Sequence, residues 1–381
     1  MWIRLLLGAA FSAAIHFFVW RTLVKPAALA PRLHRAIAIA MIAMWLSIPI
    51  TTTARLWAPE LAMTLSWITM PWMALCGLSF LVSVAIAIPR LVVRIARRRQ
   101  PPPSVDLLSR RKFLARVTSG AAITVAGGSV VRGIIEARGE HEIVDVEVPI
   151  AKLPRAMDGF TIVQLSDLHV GLTIDRAFVQ RVVDHANRLA PDLIALTGDL
   201  VDGPVDELRE DIAPLGALRA RHGVFAVTGN HEYYAGADAW IEAITHLNVR
   251  YLRNEHVAID GLDLAGIDDY SAGRYAGHGE DLPRSLAGRD PSRPLVLLAH
   301  QPRQVKRAAQ HGVDLQLSGH THGGQIWPWH YLVRLQQGGL LAGRYQHGNT
   351  QLYVTRGCGY WGPPVRLLAP LEITRVILRR A

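Results

Sequence analysis

The stretch Ile162-Val-Gln-Leu-Ser-Asp-Leu-His169 runs apolar and then presents a carboxylate and an imidazole two residues apart. Read as a buried strand, it carries Asp167 and His169 to its carboxyl end, where open α/β sheets place their sites. Four later stretches repeat the pattern: Leu193-Ile-Ala-Leu-Thr-Gly-Asp199, Val224-Phe-Ala-Val-Thr-Gly-Asn-His231, Leu295-Val-Leu-Leu-Ala-His300 and Leu315-Gln-Leu-Ser-Gly-His-Thr-His322. Between them lie runs with helical spacing, over 177–189, 207–221 and 237–247. An Asp260-Gly261 turn joins strands 257–259 and 262–265 as a hairpin. Strands alternating with helices, with hairpins at the edges, predict a layered α/β sandwich.

Charge separates this region from what precedes it. Residues 1–138 carry a net +14 and residues 139–381 a net −4, which together give the +10 of the 381-residue chain. A basic pI would suggest nucleic acid. The strand-bearing half is mildly acidic, however, and the arginines of the other half lie between apolar runs, so no nucleic-acid binding is expected. Three such runs, 3–20, 36–53 and 65–89, approach or exceed the ~18 to 20 apolar residues that span a bilayer as helix. A soluble helix would show a polar face, and residues 36–46 show none.

Arg21, Lys25, Arg32 and Arg35 lie between the first two runs, and only Arg55, offset by Glu60, between the next two. Arg90, Arg94, Arg97, Arg98 and Arg99 follow the third. Positive-inside counting puts the amino terminus outside and the loop around 97–112 in the cytoplasm. Gln100-Pro-Pro-Pro-Ser then breaks the helix. Ser109-Arg-Arg-Lys-Phe-Leu114, followed by a mild apolar run over 117–131, resembles a twin-arginine export signal. At ~1.5 Å per residue that run covers only ~22 Å, short of a ~30 Å hydrocarbon core, which suits a signal better than an anchor. The expected organisation is a three-helix transmembrane region over 1–96, a basic cytoplasmic linker with a signal-like or fourth apolar segment over 97–138, and an α/β domain over 139–381. That domain would lie outside a bacterial inner membrane. Cys76 and Cys358 supply neither a disulfide framework nor a thiolate metal site, and are expected to be buried.

The strand-end residues are Asp167, His169, Asp199, Asn230, His300, His320 and His322. Carboxylate and imidazole donors suit Mn, Fe or Zn. Seven ligands are too many for one ion. They divide between two ions about 3.5 to 4 Å apart that share a carboxylate, the arrangement that clamps an in-line phosphoryl displacement. Asp202 is expected either to bond its own loop or to support a ligand. Trp327, Trp329, Tyr360 and Trp361 read either as a hydrophobic plug or as an apolar substrate platform.

Asp-Leu-His at 167–169, Gly-Asp-Leu-Val-Asp at 198–202, Gly-Asn-His-Glu at 229–232, His300 and Gly-His-Thr-His at 319–322 resemble the calcineurin-like metallophosphoesterase superfamily. The tail Arg356-Gly-Cys-Gly-Tyr-Trp-Gly-Pro-Pro-Val-Arg366 is similar to its membrane-associated bacterial phosphodiesterases. The resemblance implies two mixed β-sheets flanked by helices. It further implies that Asp167, His169 and His322 hold one metal and Asn230, His300 and His320 a second, with Asp199 bridging. It makes His231 the general acid, oriented by Glu232, and a phosphodiester or pyrophosphate the substrate. Tyr233 and Tyr234 stand where several phosphatase branches carry an Arg. A non-catalytic metal or phosphate sensor is the alternative, as is the same hydrolase facing the cytoplasm; a degenerate sensor would have lost ligands that this chain keeps.

Overall fold

Strands that are apolar on both faces must be covered on both sides. In the computed structural model, which describes residues 2–96 and 105–381, a second sheet covers one face and helices the other. Contacts divide the chain into two units, Met1–Ile134 with Gly362–Val365, and Ile135–Trp361 with Arg366–Ala381. The break expected at Gln100 to Ser104 lies outside the described residues.

The first unit contains α1 (Trp2–Val19), α2 (Pro31–Ala54), α3 (Pro59–Ala96) and most of α4 (Val105–Arg138). Among the described residues, four helical stretches are long and apolar enough to cross a membrane: Leu5–Ala27, Pro31–Ala54, Pro59–Ala96 and Ser109–Arg138. The fourth corrects the length argument made from sequence. The run over 117–131 lies inside a continuous helix of 34 residues, about 50 Å long at ~1.5 Å per residue. Counting only apolar residues missed the turns on either side. There Arg110, Arg111 and Arg132 continue the helix, and long basic side chains of this kind reach toward an interface.

Some polar groups among these helices pair with each other, which suits helices that meet where lipid would offer no partner. Trp72 Nε1 donates to His16 Nε2 at 2.8 Å, and the Thr51 and Thr69 hydroxyls meet at 3.0 Å. One end of the bundle is basic. Arg90 donates to Thr22 O at 3.1 Å, and Arg116 to Ala27 O and Ala28 O at 2.8 and 2.9 Å.

The second unit continues as β1 (Glu142–Ile150), β2 (Thr161–Leu165), α5 (Arg176–Arg188), β3 (Leu193–Leu196), α6 (Val205–Ile212), β4 (Val224–Ala226), α7 (Asn230–Ala235), α8 (Ala237–Thr245), β5 (Val249–Tyr251), β6 (Glu255–Ile259) and β7 (Leu262–Gly266). There follow α9 (Leu282–Ser285), β8 (Leu295–Leu298), α10 (Val305–Gln310), β9 (Leu315–Ser318), α11 (His330–Gln336), β10 (Gly343–His347), β11 (Thr350–Val354) and β12 (Glu372–Arg380). Two mixed six-stranded sheets result, in the orders β1-β12-β2-β3-β4-β5 and β10-β11-β9-β8-β7-β6. The β6–β7 hairpin turns at Asp260-Gly261, both with positive φ, as the sequence suggests. The helix expected over 207–221 is shorter. It ends at Ile212 and passes into a 3-10 turn, Ala213–Ala217, because Pro214 removes a backbone donor.

Alternate residues of each strand face different layers. Ile162, Leu193, Ala195, Val296 and Leu298 pack between the sheets. Val163, Leu165, Ile194 and Leu196 pack outward against Phe178, Val182, Trp240 and Ile244. Ala137, in the last turn of α4, joins this outer layer, and Arg138 donates to Thr173 O at 3.1 Å. Both cysteines are free and buried. Trp240 is fully buried and its Nε1 donates to Gly203 O at 2.8 Å, beside the loop that carries Asp202. Trp240→Ala should lower stability by about 3–5 kcal/mol, read by chemical denaturation of the full chain in detergent.

Candidate metal centre

Parallel strands β2, β3 and β4 of one sheet, and β8 and β9 of the other, end in the loops that hold all seven predicted ligands. Five of these ligands have left-handed backbones: Asp167 (φ 56°), His169 (53°), Asp199 (53°), His320 (73°) and His322 (51°). Such conformations cost on the order of 1–3 kcal/mol each and persist where the surroundings over-determine them. Two glycines let the loops approach closely enough. A Cβ on Gly229 would lie 2.2 Å from Asp199 Oδ1, and one on Gly319 would lie 2.2 Å from Asp167 Oδ2.

The loops bring together three overlapping groups of side chains: Asp167 with His169 and His322, Asp199 with His300 and His320, and, between them, His169 with Asp199 and His231. Asp199 Oδ2 lies 3.0 Å from His300 Nε2 and 3.8 Å from His169 Nε2, so it stands between the groups. His169 Nε2 and His322 Nε2 are 3.0 Å apart, and His320 Nδ1 is 3.3 Å from His300 Nε2. Each of two rings is fixed through its other nitrogen, His169 Nδ1 by Asp202 Oδ1 at 2.8 Å and His300 Nδ1 by Thr197 O at 2.8 Å. That leaves Nε2 of both rings turned to the centre.

The residues fit divalent cations. Asn230 Oδ1 is buried without a hydrogen-bond partner, a costly state for an amide oxygen unless a cation takes it. Burial lowers His320 to about 3 and holds His322 well below the usual imidazole range, with His169 and Arg366 adding to the effect at His322. Both rings therefore keep a lone pair for ligation. Burial pushes Asp167 up against the opposing pull of His300. A second cationic charge here would relieve that uncompensated carboxylate.

The structure reassigns two supporting acids. Glu232 does not orient His231: its carboxylate accepts the backbone N–H groups of Asp199, Leu200 and Gly229 at 3.0, 2.6 and 2.6 Å. It is spent on holding the loop of the central carboxylate, which the longer Glu arm reaches. Asp202 takes the orienting place, with Oδ1 accepting from His231 Nδ1 at 2.7 Å as well as from His169 Nδ1. Burial would raise Asp202, but His169 and His231 hold its carboxyl well below the usual range, so it stays ionised.

Of the four aromatics, Tyr360 belongs to the core. It is buried against Phe178 and donates its hydroxyl to Thr173 O at 2.9 Å, which removes it from any substrate platform. Trp327, Trp329 and Trp361 are exposed. Arg366, given no role from sequence, is fully buried and donates to His322 O and Ala369 O at 3.1 Å and to Gly359 O. It ties the ligand loop of His322 to the chain's closing segment. A charged residue in a Pro-rich stretch carries no sequence signal of that burial.

The calcineurin-like phosphoesterase family profile matches residues 160–324, the span that holds every candidate ligand. A transmembrane protein with a metallophosphoesterase domain from Danio rerio is 39% identical over 295 residues, covering 72% of this chain and 67% of its own. A Helicobacter pylori metallophosphoesterase is 39% identical over 272 residues, covering 71% and 72%. The metallophosphoesterase YkuE of Bacillus subtilis is 32% identical over 290 residues, covering 71% and 98%. The chain belongs to the calcineurin-like metallophosphoesterase family.

Because Asp202 touches His169 and His231 but is not itself among the grouped ligands, Asp202→Asn should reduce phosphoester turnover or metal affinity by about 10- to 100-fold. Metal titration of the full chain beside a turnover assay checks this. An unchanged value of both would remove Asp202 from the site.

Proposed function

We propose that this protein is a membrane-tethered hydrolase of phosphodiester or pyrophosphate bonds that works with two divalent ions, Mn, Fe or Zn. The observation that carries this reading is the buried Asp199 carboxylate standing between two groups of ligands, with His231 held by Asp202 beside it. Asp167, His169 and His322 would hold one ion, Asn230, His300 and His320 the other, and Asp199 both. Bound there, the ions would supply Lewis acidity and an activated water.

The chain's own residues do the rest. Asp202 accepts a hydrogen bond from His231 Nδ1, which fixes the ring and leaves its Nε2 as the nitrogen that meets the leaving oxygen. Oxygen from water joins phosphorus, the bond to the leaving oxygen breaks, and His231 supplies the proton that the new alcohol or phosphate needs. Uncharged Tyr233 and Tyr234 follow Glu232. Their neutrality favours a monoanionic diester over a dianionic monoester.

The basic end of the helix bundle supports a cytoplasmic placement of that end. Four crossings then return the chain to the side of its amino terminus, which puts the metallophosphoesterase unit outside a bacterial inner membrane. The run at 109–114 fits export by the twin-arginine route. Substrates in reach are envelope phosphoesters: lipid headgroups, lipid-linked or nucleotide-sugar pyrophosphates, or wall polymers.

The full chain in detergent should hydrolyse an aryl phosphodiester with Mn²⁺, lose turnover on chelation, and regain it with metal. Asp199→Ala and His231→Ala should each reduce turnover by about 10²- to 10⁴-fold; turnover indifferent to metal and to Asp199→Ala would overturn the reading. A reporter fused to the carboxyl terminus should be active only outside the cytoplasm, and activity confined to the cytoplasm would reverse the orientation.

A further inference from the structure

His231, the group assigned to the leaving oxygen, has two exposed aromatic neighbours. The Tyr234 ring lies 5.1 Å and the Trp361 ring 5.9 Å from it, centroid to centroid, and these residues are 62% and 57% exposed. Trp361 is not a loose tip. Its N–H donates to Gln325 Oε1 at 2.9 Å, and Gln325 Nε2 returns a bond to its carbonyl at 2.8 Å. Leu367 N–H donates to Gln325 O at 2.8 Å and Trp327 N–H to Leu367 O at 3.1 Å. The segment that follows His322 is thus laced to the segment that carries Trp361.

Trp327, which lies in the laced segment, and Trp329 are also exposed, and α11, which follows them in the chain, has no buried residue. Tyr331 is exposed on that helix and Leu335 is 77% exposed. Single exposed apolar side chains need no explanation, but a run of them beside a reactive group does. Stacking of a nucleobase would account for Trp361 and Tyr234 and leave Leu335 and the tryptophans of 327–329 without a use.

We infer that this aromatic and aliphatic strip seats the apolar chain of the substrate's leaving group, so that the natural substrate is a lipid-linked phosphoester whose lipid side departs toward His231. The inference rests on the hydrolase reading above. It follows from the two exposed rings at His231, the group assigned to the leaving oxygen, and from the presence in the same chain of four helices suited to a bilayer. Trp361 and Leu335 are specificity-determining positions on this account.

The test compares binding of para-ethylphenyl and para-octylphenyl methylphosphonate to the Mn²⁺-loaded full chain by calorimetry in one detergent. Alkyl length leaves the phosphoryl chemistry of this pair alike. The octyl ligand should bind at least about tenfold more tightly, given what each buried methylene contributes, and Trp361→Ala or Leu335→Ser should bring the ratio to within about threefold. Leu335 is exposed enough that its variant folds, so the test does not depend on Trp361→Ala alone. Equal affinities in the parent chain, or a ratio unmoved in both variants, overturn the inference. A nucleoside phosphonate that binds more tightly than the octyl ligand and weakens in Trp361→Ala overturns it too. The matching aryl diesters, assayed for hydrolysis, separate the two readings. Turnover without chain preference removes the lipid seat alone, and chain-dependent binding without turnover removes the hydrolase alone.

Discussion

A carboxylate buried as deeply as Asp199 must be met by counter-charge, and most of the site is arranged around that need. His300 Nε2 meets Oδ2, the His231 backbone N–H donates to Oδ1 at 2.8 Å, and Glu232 holds the backbone of the Asp199 loop from below. Gly229 makes room, since any side chain there would collide with the carboxylate. Three segments distant in sequence, at 199, 229–232 and 300, thereby meet at one atom group. The left-handed ligand backbones persist because each is held by such contacts and not by its own preference.

A second constraint joins two of the histidines. Asp202 accepts from both His169 and His231 through one oxygen, so the two rings share an anchor. Moving either ring disturbs the other. The edge-on contact of the two rings, with centroids 4.6 Å apart, narrows their freedom further. Outward from His231 the polar centre gives way at once to the exposed rings of Tyr234 and Trp361.

Much of this was legible from the residues. Apolar runs that end in Asp, Asn or His mark strand ends, because a buried strand can place a metal-binding side chain only where the sheet stops. Those runs are the strands β2, β3, β4, β8 and β9, and the side chains expected as ligands follow them. Less local features were not legible. β12 enters between β1 and β2, a pairing of residues more than 200 positions apart in the chain. Arg366 looked like one more charged residue until its carbonyl partners surrounded it, and Tyr360 and Trp361, adjacent in sequence, went to the core and to the surface.

By itself, then, the sequence determined the alternation of strands and helices, the metal-capable side chains at the strand ends, the apolar helices and the charge asymmetry between the two halves. These are properties of composition and period, which each segment carries within itself. The tertiary structure decided which acid supports which histidine. Glu232 stands next to His231 in the chain and turns away from it, while Asp202, from another strand end, reaches it. Hydrogen bonding depends on where donors and acceptors point in space, and neighbours on a helix point in different directions.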